Sequence, residues 1–406
     1  MSASAFGVSI ERQKTVKKMK DELKPFCGEV EMLCNRLKGA TSSVTILTGP
    51  LGCGKSTYIP AIVSEYLMAT KLPVKKTLVA HPSELAISQL VKWMGNQHKE
   101  LDTAFTKVKM VSSLGKISEP QGSGPKGDLI YAQSKYVAYM MMEDNEFIND
   151  CRVIFVDEAQ YGSVYNEMII LSIKTIVASR ESLDNPVHFV IMCAQSATDS
   201  LCMFLGIPAG DIVTIPDEAH TPHSGVEDFF FDESPDRKPR IIDEEVVQKV
   251  TEIMRDRQKH DVVPSIVVFA HTHEYITTLM EVVKQSNPDW ICHGIFDSSL
   301  EWLGAMEAFH DLTFAKPNIL FATPQSMVGL SLNRMTDAIL IGLKEVMLFD
   351  PEVGQDIRRN YYLAQSEVQY LAHRVGRTKR ARCHYLFTKK SYNKMVQHRR
   401  PLMEVR

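Results

Sequence analysis

The feature that most constrains this chain is the run Gly-Pro-Leu-Gly-Cys-Gly-Lys-Ser-Thr at residues 49–57, which satisfies G-x-x-x-x-G-K-[ST] at every position. An apolar, β-rich run (Val44, Thr45, Ile46, Leu47) precedes it, and residues 58–67 read as a helix. Strand, glycine loop and helix form the context that this motif requires. Gly49, Gly52 and Gly54 let the backbone curl, so that N–H groups of the loop, Cys53 included, converge on phosphate oxygens. The helix turns its positive end to the same point. Lys55 then reaches the β- and γ-phosphates, while Ser56, followed by Thr57, offers a hydroxyl to Mg²⁺. The loop predicts a nucleotide site.

Composition narrows the setting. A chain of 406 residues has room for two or three domains with their own cores. Hydrophobic content of 44% and charged content of 23% are those of a soluble globular protein. With a net charge of −3, any nucleic-acid surface must be local. The eight cysteines include no C-x-x-C and no zinc spacing. Cys53, Cys151 and Cys193 lie in or beside apolar strands or the glycine loop, as expected of reduced thiols in a cytoplasmic protein. No apolar run reaches the roughly 18 residues of a membrane span, and the N-terminus does not read as a signal peptide.

Along the chain, residues 1–40 read as an N-terminal helical segment, with Val16, Met19, Leu23, Val30, Leu33 and Leu37 at helical spacing and Pro25 dividing it. Residues 41–206 alternate between strands (44–47, 76–80, 106–112, 129–132, 151–156, 187–193) and helices. Residues 207–240, rich in Pro, Asp, Glu and Gly, read as a crossing between domains, with one strand-like run at 226–231. Alternation resumes over 241–406, where 382–387 is expected to close a second sheet before a short basic C-terminal tail. Val- and Ile-rich strands alternating with helices predict two tandem parallel-sheet α/β domains, with chemistry at the carboxyl ends of the strands.

A phosphate loop needs a carboxylate for Mg²⁺ at the end of a neighbouring strand. Two tetrapeptides compete, Asp157-Glu158-Ala159-Gln160 and Asp217-Glu218-Ala219-His220. The strand Val153-Ile154-Phe155-Val156 delivers Asp157 at its tip, whereas Asp217 follows Pro216, which cannot donate to a ladder. Asp157 is therefore expected to hold Mg²⁺, directly or through water, with Glu158 orienting or deprotonating the attacking water. A third signal is His373-Arg374-Val375-Gly376-Arg377-Thr378-Lys379-Arg380. Its arginines, three residues apart, read either as a solvated basic face that touches RNA or as arginine fingers supplied in cis.

Taken together, these motifs resemble those of the superfamily 2 DExH helicases, in particular the flavivirus, hepacivirus and potyvirus type. The resemblance runs from about residue 43 to 388. Residues 49–57 look like motif I, 82–86 like motif Ia and 157–160 like motif II in a DEAQ form. Ser196-Ala197-Thr198 looks like motif III, 267–272 like motif IV, Ala322-Thr323 with Gly329 like motif V, and 373–380 like motif VI. The family implies two RecA-like domains, ATP or another NTP with Mg²⁺ as cofactors, and single-stranded RNA, or a duplex with a single-stranded tail, as partner. Other replication proteins are further candidate partners. It also implies roles: Gln160 linking the NTP site to motif III, Arg377 and Arg380 as fingers, Arg374 and Gly329 near the nucleotide, and Ser83, Ser134, Thr272 and Thr323 on the RNA backbone. His373, Lys379 and Pro324 depart from the family pattern without removing a catalytic charge. The chain ends soon after motif VI, where viral members usually carry a third, helical domain. The expected activity is an NTP-driven RNA helicase or translocase of viral RNA replication. The alternative is an RNA-stimulated NTPase that remodels or packages RNA without processive unwinding.

Overall fold

A computed structural model of the chain describes residues 27–39, 41–50, 52–68, 70, 72, 76–97, 108–111, 117–118, 129–143, 151–161, 163–179, 186–194, 197–216, 225–231, 243–260, 262–297, 304–305, 316–330, 332, 335–376 and 380–397. It divides into two compact units, Met1–Thr221 with Arg400–Arg406 and Pro222–Arg399.

The first unit is built on an eight-stranded sheet. Its described elements are α1 (Cys27–Arg36), β1 (Ser43–Thr48), α2 (Tyr58–Met68), β2 (Lys76–His81), α3 (Glu84–Gln97), β3 (Val108–Val111), β4 (Ile117–Ser118) and β5 (Leu129–Gln133). There follow α4 (Ser134–Glu143), β6 (Cys151–Val156), α5 (Val164–Ser179), β7 (His188–Cys193), α6 (Thr198–Leu205) and β8 (Ile212–Thr214). The strand order is β4-β3-β5-β2-β6-β7-β1-β8, parallel except for the β3–β4 pair. Period-two alternation splits the apolar residues between the faces. Leu47, Val79, Tyr131, Phe155 and Met192 pack with α1, α2 and α3. Ile46, Leu78, Ala132, Ile154 and Ile191 pack with α4, α5 and α6. Arg152, 4% exposed at the start of β6, donates to the carbonyls of Leu37, Gly39 and Pro186. The guanidinium thus ties the turn that follows α1 to the segment that enters β7. Proximal residues 1–26, where the first part of the helical segment is expected, lie outside the described residues.

The second unit comprises β9 (Val226–Phe231), α7 (Asp243–Lys259), β10 (Ser265–Phe269), α8 (His273–Ser286), β11 (Ile291–Ile295), β12 (Asn318–Ala322) and β13 (Asp337–Leu340). It continues with β14 (Leu343–Asp350), β15 (Gln355–Tyr362), α9 (Gln365–Ala372), β16 (Ala381–Thr388) and α10 (Lys389–Asn393). Its sheet runs β11-β12-β10-β13-β16-β9 with parallel pairs throughout. One expectation is corrected here. β16 does not close the sheet, because β9 pairs outside it. The two units divide between Thr221 and Pro222, within the stretch read as a crossing, which also supplies a strand to each sheet, β8 to the first and the expected 226–231 strand, β9, to the second. An antiparallel ribbon, β14–β15, was not expected at all.

Candidate nucleotide and metal site

The phosphate loop leaves β1 at Thr48 and enters α2 at Tyr58. Gly52 and Gly54 take φ of 77° and 89°, the left-handed region open to glycine. A Cβ at Gly54 would also meet the Tyr58 ring at 2.8 Å. The turn is closed by Thr57 and Ile59 N–H groups on the Gly54 carbonyl, at 3.2 and 3.1 Å. At Gly49 a Cβ would meet that of Ile215 at 2.7 Å, so the loop packs closely on the strand beside it. Lys55 Nζ donates to the carbonyls of Gly49 and Pro50, both at 2.7 Å. Cys53 lies beneath, 5% exposed. Burial pushes its thiol up against the opposing pull of Lys55, which leaves it a protonated packing group.

Asp157 follows the last residue of β6 and is 3% exposed. Its N–H donates to the Ala80 carbonyl at 2.8 Å, and its Oδ1 accepts the Glu158 N–H at 2.8 Å. Asn166 holds its carbonyl at 2.9 Å. Burial pushes the carboxyl up, and the charge of Glu158 adds to this; the His81 imidazole and the Ser56 hydroxyl hydrogen bond pull it back. Its Oδ2 has no hydrogen-bond partner. The Ser56 carbonyl is in turn held by the buried Tyr131 hydroxyl at 2.7 Å. The loop serine and the strand-end carboxylate therefore meet, and one carboxylate oxygen is left over. This donor set fits Mg²⁺, which takes one or two carboxylates and completes its shell with phosphate and water. Among the described residues no group of three or more His, Cys, Asp or Glu forms a self-contained metal cage.

Glu158 has φ of 52°, the left-handed region and a strained one for a side chain of this size. Gln160 donates to Glu158 Oε2 and accepts the Ala194 N–H at 3.2 Å. The glutamine thus spans from the Glu158 carboxylate to the residue that follows β7. Gln195 and Ser196 beyond that end lie outside the described residues, as does Asp217. Thr198 is described, its hydroxyl 3.9 Å from Cys193 Sγ.

The residues expected on RNA all sit where a strand ends, but the hydroxyls of Ser83, Thr272 and Thr323 are engaged otherwise, and that of Ser134 is buried without a hydrogen-bond partner. Ser83, fully buried, accepts the Ala86 N–H at 3.1 Å and caps α3. Thr272 caps α8 through the Tyr275 N–H at 3.1 Å. Thr323 donates to the Phe296 carbonyl at 2.7 Å and accepts the Ser326 N–H at 3.1 Å. Ser134 opens α4 with no exposed surface. The hydroxyls of Ser83, Thr272 and Thr323 satisfy open helix and turn N–H groups.

In the second unit Gly329, at φ of 72°, donates its N–H to the Tyr370 hydroxyl at 2.9 Å. Arg374 was expected against the nucleotide; instead it is 1% exposed, donates to the Leu330 carbonyl at 2.9 Å and stacks 3.8 Å from the Tyr370 ring centroid. It fastens the 327–330 turn to α9. Arg377 lies outside the described residues. Arg380 is exposed, 4.0 Å from Glu227. Sequence reasoning missed Tyr131, His81 and Gln133, which line the site. Their signal was parity: each shares a strand face with a core residue two positions earlier.

No family model matches the chain. It is 20% identical over 365 residues to a protein of Acanthamoeba polyphaga mimivirus provisionally named an ATP-dependent RNA helicase, covering 88% of this chain and 49% of that protein. It is 20% identical over 372 residues to the ATP-dependent RNA helicase DEAH11, chloroplastic, of Arabidopsis thaliana, covering 88% of this chain and 19% of that protein. The chain thus spans half or less of the length of these relatives. The crystal structure of Escherichia coli DEAH/RHA helicase HrpB superimposes with a TM-score of 0.69 at 18% identity, over 92% of this chain and 44% of that one. The chain has two α/β units on parallel sheets, with the RecA-like architecture of a helicase core.

Proposed function

We propose that the chain hydrolyses ATP or another NTP and couples hydrolysis to movement along RNA or its unwinding, as a DEAH/RHA-type superfamily 2 helicase. The observation that carries this reading is a glycine loop with its lysine folded over it at the end of β1, and the buried Asp157 carboxylate at the tip of β6 in the same sheet. In this reading Lys55 and the loop N–H groups bind the β- and γ-phosphates. Ser56 and Asp157 hold Mg²⁺, which supplies charge neutralisation at the phosphates when bound. Glu158 takes the proton of the attacking water, oriented by Gln160. Arg377 and Arg380 act as fingers on the developing charge, contributing on the order of 10³-fold. Arg374 keeps the turn carrying Gly329 in place and serves the site from within the fold. RNA contact falls to backbone groups of the turns at Ser83, Ser134, Thr272 and Thr323. The exposed Arg359 and Tyr362 of the β15 ribbon add charge and stacking surface. A role in viral RNA replication rests on the motif resemblance to positive-strand viral helicases alone.

Phosphate release measured with and without single-stranded RNA tests this reading. Stimulation is expected, and an ATPase-dead protein ends the proposal. Strand displacement on a tailed duplex separates a helicase from an RNA-stimulated NTPase. The choice of acidic motif has its own test. Asp157→Ala should abolish hydrolysis, while Asp217→Ala should leave turnover within about 2-fold of wild type. A dead Asp217→Ala enzyme reverses that assignment.

A further inference from the structure

The carboxyl ends of three adjacent strands carry a row of polar groups of which the mechanism above uses only Asp157. The β2–β5 register pairs His81 with Gln133. The β2–β6 register pairs Ala80 with Val156, so the next residues, His81 and Asp157, also lie side by side. All three share the sheet face of Val79, Tyr131 and Phe155. His81 Nε2, Gln133 Oε1 and Asp157 Oδ2 are each buried without a hydrogen-bond partner. One such atom is an exception in a folded protein; three in a row mark a site completed by something else.

His81 Nδ1 lies 3.0 Å from the Ser83 N–H and 3.1 Å from the Ser83 carbonyl, so either tautomer finds a partner there; the form that accepts the N–H carries its proton on Nε2 and alone sets a donor beside the two acceptors of the row. In that form a buried donor stands in one row with two buried acceptors, enough partners to hold one water. The other side of the ring is tied to the turn that opens α3, where Ser83 caps the helix.

We propose that His81 is a positioning residue for the metal site: its Nε2–H holds Asp157 Oδ2 through one water shared with Gln133, in the orientation that faces Ser56. Its Nδ1 links that orientation to the turn at Ser83. A displacement of this turn by a bound strand reaches the metal carboxylate through a single ring. The inference rests on the nucleotide reading above and gives it a route for RNA stimulation.

Two substitutions divide the ring's functions. His81→Asn keeps an acceptor near Nδ1 and removes the donor to Asp157. His81→Gln keeps a donor near Nε2 and removes the acceptor for Ser83. Binding of Mn²⁺ with a non-hydrolysable ATP analogue is read from the EPR signal of free Mn²⁺, beside analogue affinity without metal. The Asn variant is expected to bind Mn²⁺ about 10-fold more weakly, the scale for losing an outer-shell partner, with metal-free analogue affinity unchanged. The Gln variant is expected to keep Mn²⁺ binding within about 2-fold of wild type and to lose RNA stimulation of hydrolysis. Gln133→Leu, which leaves the ring in place, should weaken Mn²⁺ binding about 3-fold and carries the test if the Asn variant does not fold. Wild-type Mn²⁺ affinity in the Asn variant, or in Gln133→Leu where that variant carries the test, overturns the inference and leaves the nucleotide reading standing. Equal losses in the Asn and Gln variants, the mark of a merely structural ring, overturn it too. A wild-type protein that binds no analogue removes both.

Discussion

A Lys55→Ala variant is expected to lose NTP hydrolysis by at least about 10²-fold in turnover, the scale for removing one preorganised donor from a developing charge. The fold should survive. α2 is anchored by Ile59, Ile62 and Val63, at 0–5% exposure, and not by the lysine. What the variant loses locally is two hydrogen bonds to the Gly49 and Pro50 carbonyls, worth about 1 kcal/mol each. Those carbonyls belong to a half-buried, water-accessible loop, so water replaces the ammonium there. No side chain of another kind delivers a charge to the β- and γ-phosphates from this position. RNA binding, which draws on other turns, should be largely spared. Phosphate release, circular dichroism and RNA binding on one preparation check all three statements. Turnover within 10-fold of wild type would falsify the role given to Lys55.

The phosphate loop and Asp157 were legible because their signals are local. A glycine pattern and a Val/Ile strand ending in a carboxylate carry their own geometry, and Pro216 alone was enough to demote Asp217. Other features depend on partners distant in sequence. The run at 226–231 was readable as a strand, but not that it would pair with β16, whose Tyr385 hydroxyl donates to Asp228 at 2.7 Å across the pair. The hydroxyls of Ser83, Thr272 and Thr323 were matched to RNA by motif position. A serine or threonine at a strand-to-helix turn has a prior engagement, the open N–H groups of the helix. Arg374 misled for a similar reason: its charge suggested an anion, whereas its planar group stacks on Tyr370 and bonds a carbonyl. α5 escaped notice because Ile169, Ile170, Ile173 and Ile176 blur the helical period of a segment that is apolar on much of its circumference.

The largest effect on stability is expected at Asp337, which opens β13 with no exposed surface. Arg257 Nε donates to one oxygen at 2.8 Å; Arg382 Nε and His384 Nε2 reach the other at 2.9 and 3.2 Å. Burial alone would raise this carboxyl. The hydrogen bonds of His384, Arg257 and Thr336, with the charge of Arg257, hold it well below the usual carboxylate range. The folded state therefore prefers the ionised form more than the unfolded chain does. That preference stabilises the fold above the unfolded value of about 4 and is lost as pH falls towards the folded value. Asp337→Ala removes the common counter-ion of two arginines with 17% and 21% side-chain exposure. Breaking a buried pair from one side costs about 3–5 kcal/mol. The lower end applies, because Arg382 keeps Asp256 at 2.6 Å and both guanidinium groups retain some water. For a unit of this size, about 3 kcal/mol lowers the melting midpoint by roughly 6–12 °C. The acid limb should change as well: a variant without this carboxylate has less stability to lose below about pH 4. Thermal unfolding of wild type and variant across pH 3 to 7 reads both effects. An unchanged midpoint at neutral pH would mean that the network stabilises the sheet no more than an apolar contact does.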